Sequence, residues 1–403
     1  MLRSSIPVLV LGLTASLPAQ SDDFGEWAEL FNGKDLEGWH TAKPSQAGGE
    51  NLWAVEDGAL ANIRGGVNDI CTVEEFEDYE LEIEYKIPQG GNSGVYLRGQ
   101  IEIQIADSYR DGKKKEKLGN GDAGAVYGGD FIALENAQNP PGEWNKYHVL
   151  HIGHRITVWH NGVLIQDNVY QNGKTGGAMG EHRGRELQPE KGPLMLQGDH
   201  SKVWYRNIRI RPLFGEGWKP IWNGGDLSAF NARNDDRAKD GLRWEVEDHA
   251  FTNTATGGRG HDIWTDESFG NFLVYYAYRS DPKVEGGNSG FYLRDQWEIQ
   301  ILGSQGTGQE HGDGALYSKK APDVEARHAE ERWNHMFVKL DGMKVTVWQN
   351  GKKIHDEVVL DTRTDNDQVK TPDFSSAPFK IQGDHGKVWF SGIYIKPLPD
   401  TKA

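Results

Sequence analysis

Cysteine is almost missing from this chain: Cys71 stands alone among 403 residues. An internal disulfide is therefore excluded, and the fold must be held by its own core. Basic charge is also short, with 44 Lys and Arg against 60 Asp and Glu and a formal charge of −16. That balance disfavours nucleic acid or an anionic membrane surface as the partner, since both reward clustered Lys and Arg. The one basic cluster (Lys113, Lys114, Lys115, Lys117) is mixed with Asp111 and Glu116 and reads as a solvated loop. Long apolar runs are absent after Ile6–Leu13. That run follows Arg3, leads into small residues up to Ala19, and is too short to span a bilayer. It has the form of a secretory signal over residues 1–19, so the expected chain is secreted or periplasmic with no membrane insertion. Amphipathic helical patterns are nearly lacking, and so are a Gly-x-Ser-x-Gly elbow and a phosphate loop.

What the chain has in abundance is glycine, 51 residues, with 14 Trp and 14 Tyr. Aromatic rings in a polar chain suit a saccharide surface, because a ring offers an apolar face to the C–H side of a pyranose. The chain also repeats itself. Phe31-Asn32-Gly33-Lys34-Asp35-Leu36 is answered by Trp222-Asn223-Gly224-Gly225-Asp226-Leu227. Ile156-Thr157-Val158-Trp159-His160-Asn161-Gly162 is answered by Val345-Thr346-Val347-Trp348-Gln349-Asn350-Gly351. Leu196-Gln197-Gly198-Asp199-His200 is answered by Ile381-Gln382-Gly383-Asp384-His385. The matches keep one order, which predicts two tandem domains, 24–213 and 217–398. Short alternating segments broken by Asn-Gly, Asp-Gly and Gly-Gly predict an all-β fold, each unit a two-sheet sandwich.

One stretch, Gly90–Ser108, organises the reading, and it returns as Gly286–Ser304. Its two-residue period puts Val95, Leu97, Ile101, Ile103 and Ile105 on a face to bury. Tyr96, Arg98, Gln100, Glu102 and Gln104 fall on the other. Between the copies the buried face drifts, with Val95 becoming Phe291 and Ile101 becoming Trp297. The polar face returns unchanged as Tyr292, Arg294, Gln296, Glu298 and Gln300. A merely wet face would accept substitutes, so fixed polar identities point to a site. A carboxylate near an arginine, an amide and a histidine is what proton transfer requires. Tyr127, Trp144 and the Gln197–His200 loop are expected to complete a groove on the polar face. His148, His151, His154 and His160 suggest a metal by count, but their counterparts are Phe337, Leu340, Met343 and Gln349. On a strand His151 would also turn away from His148, and zinc is not expected.

The Asn-Gly-Lys-Asp-Leu-x-Gly-Trp opening, the Gly-Asn-Ser-Gly-x-Tyr-Leu-Arg…Glu-Ile-Gln-Ile stretch, Gly-Glu-Trp-Asn and Leu-Gln-x-Asp-His-x-x-Val-Trp-Tyr-Arg-Asn-Ile resemble the 3-keto-disaccharide hydrolase family. The resemblance covers both copies. It implies two concanavalin-A-like jelly-roll β-sandwiches and a secreted bacterial protein acting on oxidised sugars. A carbonyl at C3 acidifies the C2 hydrogen; loss of that proton and elimination of the C1 aglycone, followed by addition of water, give a net hydrolysis. In that scheme Glu102 or His200 transfers the proton. Arg98, helped by Asn92 or Gln104, steadies the enolate; no cofactor is required, although a divalent cation (Ca2+ or similar) could substitute for the arginine. Asp107, Tyr127, Trp144, Gln197 and Asp199 bind substrate. The second copy offers Glu298, His385 and Arg294 for catalysis, with Asn288, Gln300, Tyr317, Trp333, Gln382 and Asp384 for binding.

The second copy departs from the family pattern. It has Gly303 for Asp107, Glu331-Arg332 for Gly142-Glu143, and Ser391-Gly392 for Arg206-Asn207. On those grounds it is expected to be the weaker or inactive one. Two rival readings are a non-catalytic tandem lectin-like module and a conventional glycosidase. The latter needs two carboxylates about 5 Å apart, and the next same-face position after Glu102 is Gln104.

Overall fold

The computed structural model describes residues 25–42, 52–128, 131–171, 189–233, 235–239, 241–254, 260–303, 309–329, 331–364 and 375–399. The expected signal at 1–19 lies outside them. The chain forms two compact units, one built on Trp27–Pro212 and the other from Leu213 onward. Each is an all-β sandwich.

In unit 1 the larger sheet has eight strands. Its path is Val163–Tyr170, Arg155–His160, Asn145–Ile152, Tyr79–Lys86, Trp204–Pro212, Ala59–Asn62 and Trp53–Glu56, with Ala28–Glu29 joined beside Trp204–Pro212. The smaller sheet has five, in the order Trp39–Thr41, Ile70–Phe76, Gly192–Leu196, Asn92–Leu97 and Ile101–Ala106. Their inner faces form one core. Leu81, Ile83 and Tyr85 from the larger sheet cluster with Val95, Leu97, Ile101, Ile103 and Ile105 from the smaller. Burying such side chains contributes about 1.5–3 kcal/mol each.

Unit 2 repeats the design. Its five-stranded sheet runs Phe230–Asn231, Ile263–Thr265, Lys380–Ile381, Ser289–Leu293 and Trp297–Ile301. Eight further strands form the larger sheet, and its core gathers Tyr276, Phe291, Ile299 and Phe390 among others. The predicted Asn-Gly hairpins are present. Asn161 and Gly162 both have positive φ, 49° and 84°, as do Asn350 and Gly351 at 49° and 79°. Two successive left-handed residues make the turn whose twist matches its flanking strands.

The organising stretch is not one strand, as its alternation suggested, but a hairpin. Asn92–Leu97 and Ile101–Ala106 pair antiparallel, with Arg98 (φ 47°) and Gly99 (φ 67°) turning the chain between them. The apolar set still faces inward because the turn preserves the parity on both arms.

The outer faces of the two larger sheets differ. In unit 1 Glu80, Glu82 and Glu84 on Tyr79–Lys86 ion-pair with Arg211, Arg209 and Arg206 on Trp204–Pro212. His148 Nε2 lies 2.5 Å from the Glu80 carboxylate, and Glu80 is fully buried. In unit 2 the positions of Glu80 and His148 hold Leu273 and Phe337, both buried.

Candidate active site

The hairpin register brings Tyr96 directly opposite Glu102 on the side of the sheet away from the core. The same row continues across every strand: His40 pairs Cys71, Cys71 pairs Met195, and Met195 pairs Tyr96. Residues two positions along a strand share a face. Gly94 and Gln104 therefore sit in the next row, and Asn92 in the row beyond. The Gln197 amide N–H donates to Gly94 O at 3.0 Å and carries the row on to the loop Gln197–His200.

Glu102 is only 2% exposed. Burial pushes its carboxyl up to about 8, a hydrogen bond from the Tyr96 hydroxyl pulls it down, and the charges of Asp199 and Asp69 push it up again. Gln197 Nε2 donates to the Tyr96 hydroxyl at 3.0 Å, so amide, phenol and carboxyl form a chain. Gly94 is the residue this carboxylate requires. A Cβ there would lie 2.3 Å from Glu102 Oε1, which is overlap rather than contact. The adjoining Ser93 faces the core, donating to Gln197 O at 2.8 Å and lying 2.8 Å from the Tyr205 hydroxyl. The repeated Asn-Ser-Gly thus fixes the hairpin to the Gln197 loop and clears space for Glu102.

A second carboxyl joins this one. Asp69, buried at the start of Ile70–Phe76, accepts the Gly198 amide at 2.8 Å through Oδ1. Burial pushes it up to about 7; the Gly198 amide pulls it down, Asp199 pushes it up, and His200 pulls it down. Asp199 Oδ1 lies 2.5 Å from His200 Nδ1, and that imidazole is 48% exposed at the rim. The buried Oε1 atoms of Gln104 and Gln197 have no hydrogen-bond partner among the described residues. Both fit the hydroxyls of a sugar, because an unmade buried bond is costly.

Glu102, Gln104, Asn92, Gln197, Asp199 and His200 therefore share one face. Tyr127 flanks it: its amide donates to Glu102 O at 3.0 Å and its ring is part-exposed. Three expected members lie elsewhere. Arg98, at the tip of the hairpin, donates to Glu77 O at 2.9 and 2.6 Å and to Pro189 O at 3.0 Å, and ion-pairs with Asp78 at 3.1 Å. It fastens the turn between Ile70–Phe76 and Tyr79–Lys86, and Arg294 does the same through Gly270 O and Asn271. The hairpin is the physical reason: a continuous strand would have kept Arg98 on the face of Glu102, whereas here it occupies the turn. Trp144 lies under the Arg206 guanidinium at 4.0 Å and Lys86 at 5.0 Å, on the outer face of the larger sheet. Trp333 sits likewise beneath Arg279 at 5.5 Å. Asp107 caps two loop amides, Gly90 N at 2.7 Å and Tyr109 N at 3.0 Å. His151 and His160 serve buried hydrogen bonds to Tyr79 and Tyr85. Among the described residues no three His, Cys, Asp or Glu side chains are grouped to hold a metal ion.

Unit 2 keeps the core of this face. Tyr292 pairs Glu298, and its hydroxyl donates to Glu298 Oε2 at 2.8 Å. With its amide nitrogen turned toward the carboxylate, Gln300 donates to Glu298 Oε1 at 2.9 Å. Gly290 leaves the same opening as Gly94, since a Cβ there would be 2.2 Å from Glu298 Oε1. Asn288 begins that arm, Gln382 N donates to Gly290 O at 3.0 Å, and His385 Nδ1 lies 2.6 Å from Asp384 Oδ1. Tyr317 N donates to Glu298 O at 3.1 Å. Tyr317 and Glu298 line a small cavity walled on one side by Thr362, Arg363 and Thr364.

Asp69 and Tyr96 are the members to which the sequence assigned no role. Tyr96 was visible on the polar face. Asp69 was legible too, because Asp69-Ile70-Cys71-Thr72 returns as Asp262-Ile263-Trp264-Thr265.

A buried, acid-lined face on a β-sandwich is the form of a carbohydrate-active site. The chain matches the family described as 3-keto-alpha-glucoside-1,2-lyase-like domain over residues 26–211 and again over 217–396. It belongs to that family, with two tandem copies. It is 25% identical over 243 residues to a 3-keto-disaccharide hydrolase of Bacteroides thetaiotaomicron, covering 49% of this chain and 81% of that protein. Among solved structures it is similar to two from Parabacteroides distasonis described as "putative glycosyl hydrolase". One shows 27% identity and a TM-score of 0.38 over 47% of this chain and 94% of that one. The other shows 31% and 0.37 over 46% and 84%.

Proposed function

We propose that this protein is a secreted enzyme that cleaves 3-keto-glycosides by removing the C2 proton, eliminating the C1 aglycone and adding water. The carrying observation is the pair Glu102 and Asp69 on one buried face, pushed up to about 8 and about 7. Between those values the two carboxyls together hold about one proton. The higher value leaves that proton mostly on Glu102, and the form that reacts is the minor one in which Asp69 holds it and Glu102 is ionised.

The reaction needs both states. Glu102, as carboxylate, takes the C2 proton, and the electron pair moves onto the C3 oxygen. The neutral Asp69 carboxyl donates a hydrogen bond to that oxygen as it becomes an oxyanion, in the part once expected of Arg98. When the carbonyl re-forms, the C1–O bond breaks, and His200, oriented by Asp199, gives the departing oxygen its proton. Water adds to the resulting double bond. Gln104 and Gln197 hold ring hydroxyls.

Two of the three sequence grounds for a weakened second unit lie off this face. Gly303 replaces a loop cap, and Ser391 and Gly392 fall on the larger sheet.

The test is turnover of a 3-keto-glucoside beside its unoxidised parent. Consumption of the keto sugar alone is expected. Consumption of neither, with saccharide binding retained, would make this a tandem binding protein.

A further inference from the structure

The chain of hydrogen bonds behind Glu102 is open at one end. The Gln197 backbone is pinned, its N–H donating to Gly94 O at 3.0 Å and its carbonyl accepting from Ser93 Oγ at 2.8 Å. Its side-chain Nε2 donates to the Tyr96 hydroxyl at 3.0 Å, and that hydroxyl donates in turn to the Glu102 carboxylate. All three side chains are buried, so water competes little for these bonds. The open end is Gln197 Oε1, a buried acceptor with no hydrogen-bond partner among the described residues. Unit 2 repeats the arrangement. Gln382 Oε1 is another such acceptor, and Tyr292 donates to Glu298 Oε2 at 2.8 Å. A bond left unmade at the same place in both copies points to a donor that arrives with the ligand.

We propose that Gln197 and Tyr96 form a relay by which a bound sugar arms Glu102 for proton abstraction. A ring hydroxyl donating to Gln197 Oε1 polarises the amide and makes Nε2–H a stronger donor. The phenol that accepts from it then grips the Glu102 carboxylate more tightly. The proposal rests on the keto-glycoside reading and deepens it by stating when the base is ionised. Without sugar, burial holds the shared proton mostly on Glu102. Of the groups that face it, Tyr96 on the opposite arm favours the carboxylate, while Asp199 and Asp69 oppose it. His200, beside Asp199, acts on Asp69. The phenol is therefore the handle through which binding moves the proton.

The protons balance. Where Glu102 is neutral and Asp69 ionised, the Glu102 O–H bond breaks and Asp69 takes the proton. Where both are neutral, solvent takes it. Either way Glu102 is left as the carboxylate and Asp69 as the neutral donor, the form that C2 abstraction uses. Tyr96 touches no reacting atom and is a positioning residue; Gln197 reads the sugar. An empty site keeps its base protonated.

The full chain carrying Glu298→Gln reports on unit 1. With a 3-keto-glucoside, the acid limb of kcat belongs to the sugar-bound enzyme and that of kcat/KM to the free enzyme. The first should lie below the second by roughly half a pH unit or more. Tyr96→Phe keeps the ring but cuts the relay. It should merge the two limbs and lower kcat near neutral pH roughly tenfold, with KM little changed. Gln197→Met cuts the relay one link earlier and should also merge the limbs, so the result does not hang on one variant's folding. Limbs that coincide in the unaltered site, or that stay apart in either variant with its melting temperature unchanged, overturn the relay and leave the keto-glycoside reading standing. If the chain is inert toward the keto sugar, that reading fails, and calorimetry with methyl α-glucoside decides the relay alone. Binding near neutral pH should then release a fraction of a proton, seen as a heat that varies with the buffer's ionisation enthalpy, and Tyr96→Phe should abolish the release. Proton uptake, or no exchange, would overturn it.

Discussion

The five-stranded sheets of the two units share a backbone and a Tyr–Glu pair, yet three of the five residues in the central row differ. Unit 1 surrounds the pair with His40, Cys71 and Met195; unit 2 with Asn231, Trp264 and Lys380. The outer faces diverge in the opposite sense, with buried ion pairs in unit 1 and buried apolar residues at the positions of Glu80 and His148 in unit 2. What both units keep is therefore narrow. Around the reacting centre it is a carboxylate opposite a tyrosine, the glycine that makes room for it, the following glutamine (Gln104, Gln300), the aspartate Asp69 or Asp262, and the Gln-Gly-Asp-His loop beside it, with Arg98 and Arg294 kept at the hairpin tip. A framework that lets its core, its outer face and half its cleft vary while holding that set is organised around the carboxylate.

The comparison can be broken most sharply at the carboxylates themselves. Glu102→Gln should cut turnover by unit 1, measured in a Glu298→Gln background, by roughly 10^2–10^4-fold, the usual contribution of a positioned base. Outer-face substitutions should divide the units by stability instead. Arg211→Met leaves the buried Glu80 with His148 as its partner and should cost ~3–5 kcal/mol in denaturant unfolding of unit 1. The counterpart Lys396→Met, with Leu273 at the place of Glu80, should stay within ~0.5 kcal/mol. Gly94→Ala should displace the Glu102 side chain and lower turnover at least roughly tenfold, since a 1 Å misplacement is that costly or more. Far-ultraviolet circular dichroism should stay unchanged.

The smallest expected effects follow from charge. Activity of unit 1 should be bell-shaped in pH, with limbs near the values of Asp69 and Glu102, about 7 and about 8. The same shifts act on stability with a definite sign. Both folded-state values lie above the ordinary 3.8 and 4.5, so the folded state binds more protons than the unfolded chain between those limits. Stability of unit 1 should therefore fall as pH rises from about 4 to about 8. Glu102→Gln removes part of that burden and should stabilise unit 1 by roughly 1–3 kcal/mol above pH 8, read as a higher melting temperature. A lower melting temperature there would mean that Glu102 is not destabilised by burial.

Much of this was legible in the sequence. Alternation with Asn-Gly and Gly-Gly turns gave the all-β fold, and the drift of Val95 to Phe291 beside fixed Glu102 and Glu298 marked the site face. Arg98 was misplaced because a tight hairpin preserves parity: Ile101 and Ile103 keep the inward phase of Val95 and Leu97, and the turn leaves no break in the pattern. Trp144 was misplaced because a ring under Arg206 and one awaiting a sugar read alike in a chain of letters. Asp69 carried a repeated signal that went unused. Met195 and Lys380, which most distinguish the two sites, lie in the segment just before Gln-Gly-Asp-His, where only pairing with Tyr96 and Tyr292 reveals what they face.

The most direct test of the central claim is hydrogen exchange at C2. Turnover of a 3-keto-glucoside in deuterated water should place deuterium at C2 of the released 3-keto sugar, and the unoxidised parent should gain none. Cleavage without deuterium at C2, together with no slowing of a C2-deuterated substrate, would show that the C1–O bond breaks with the C2 hydrogen in place, and would contradict the role assigned to Glu102.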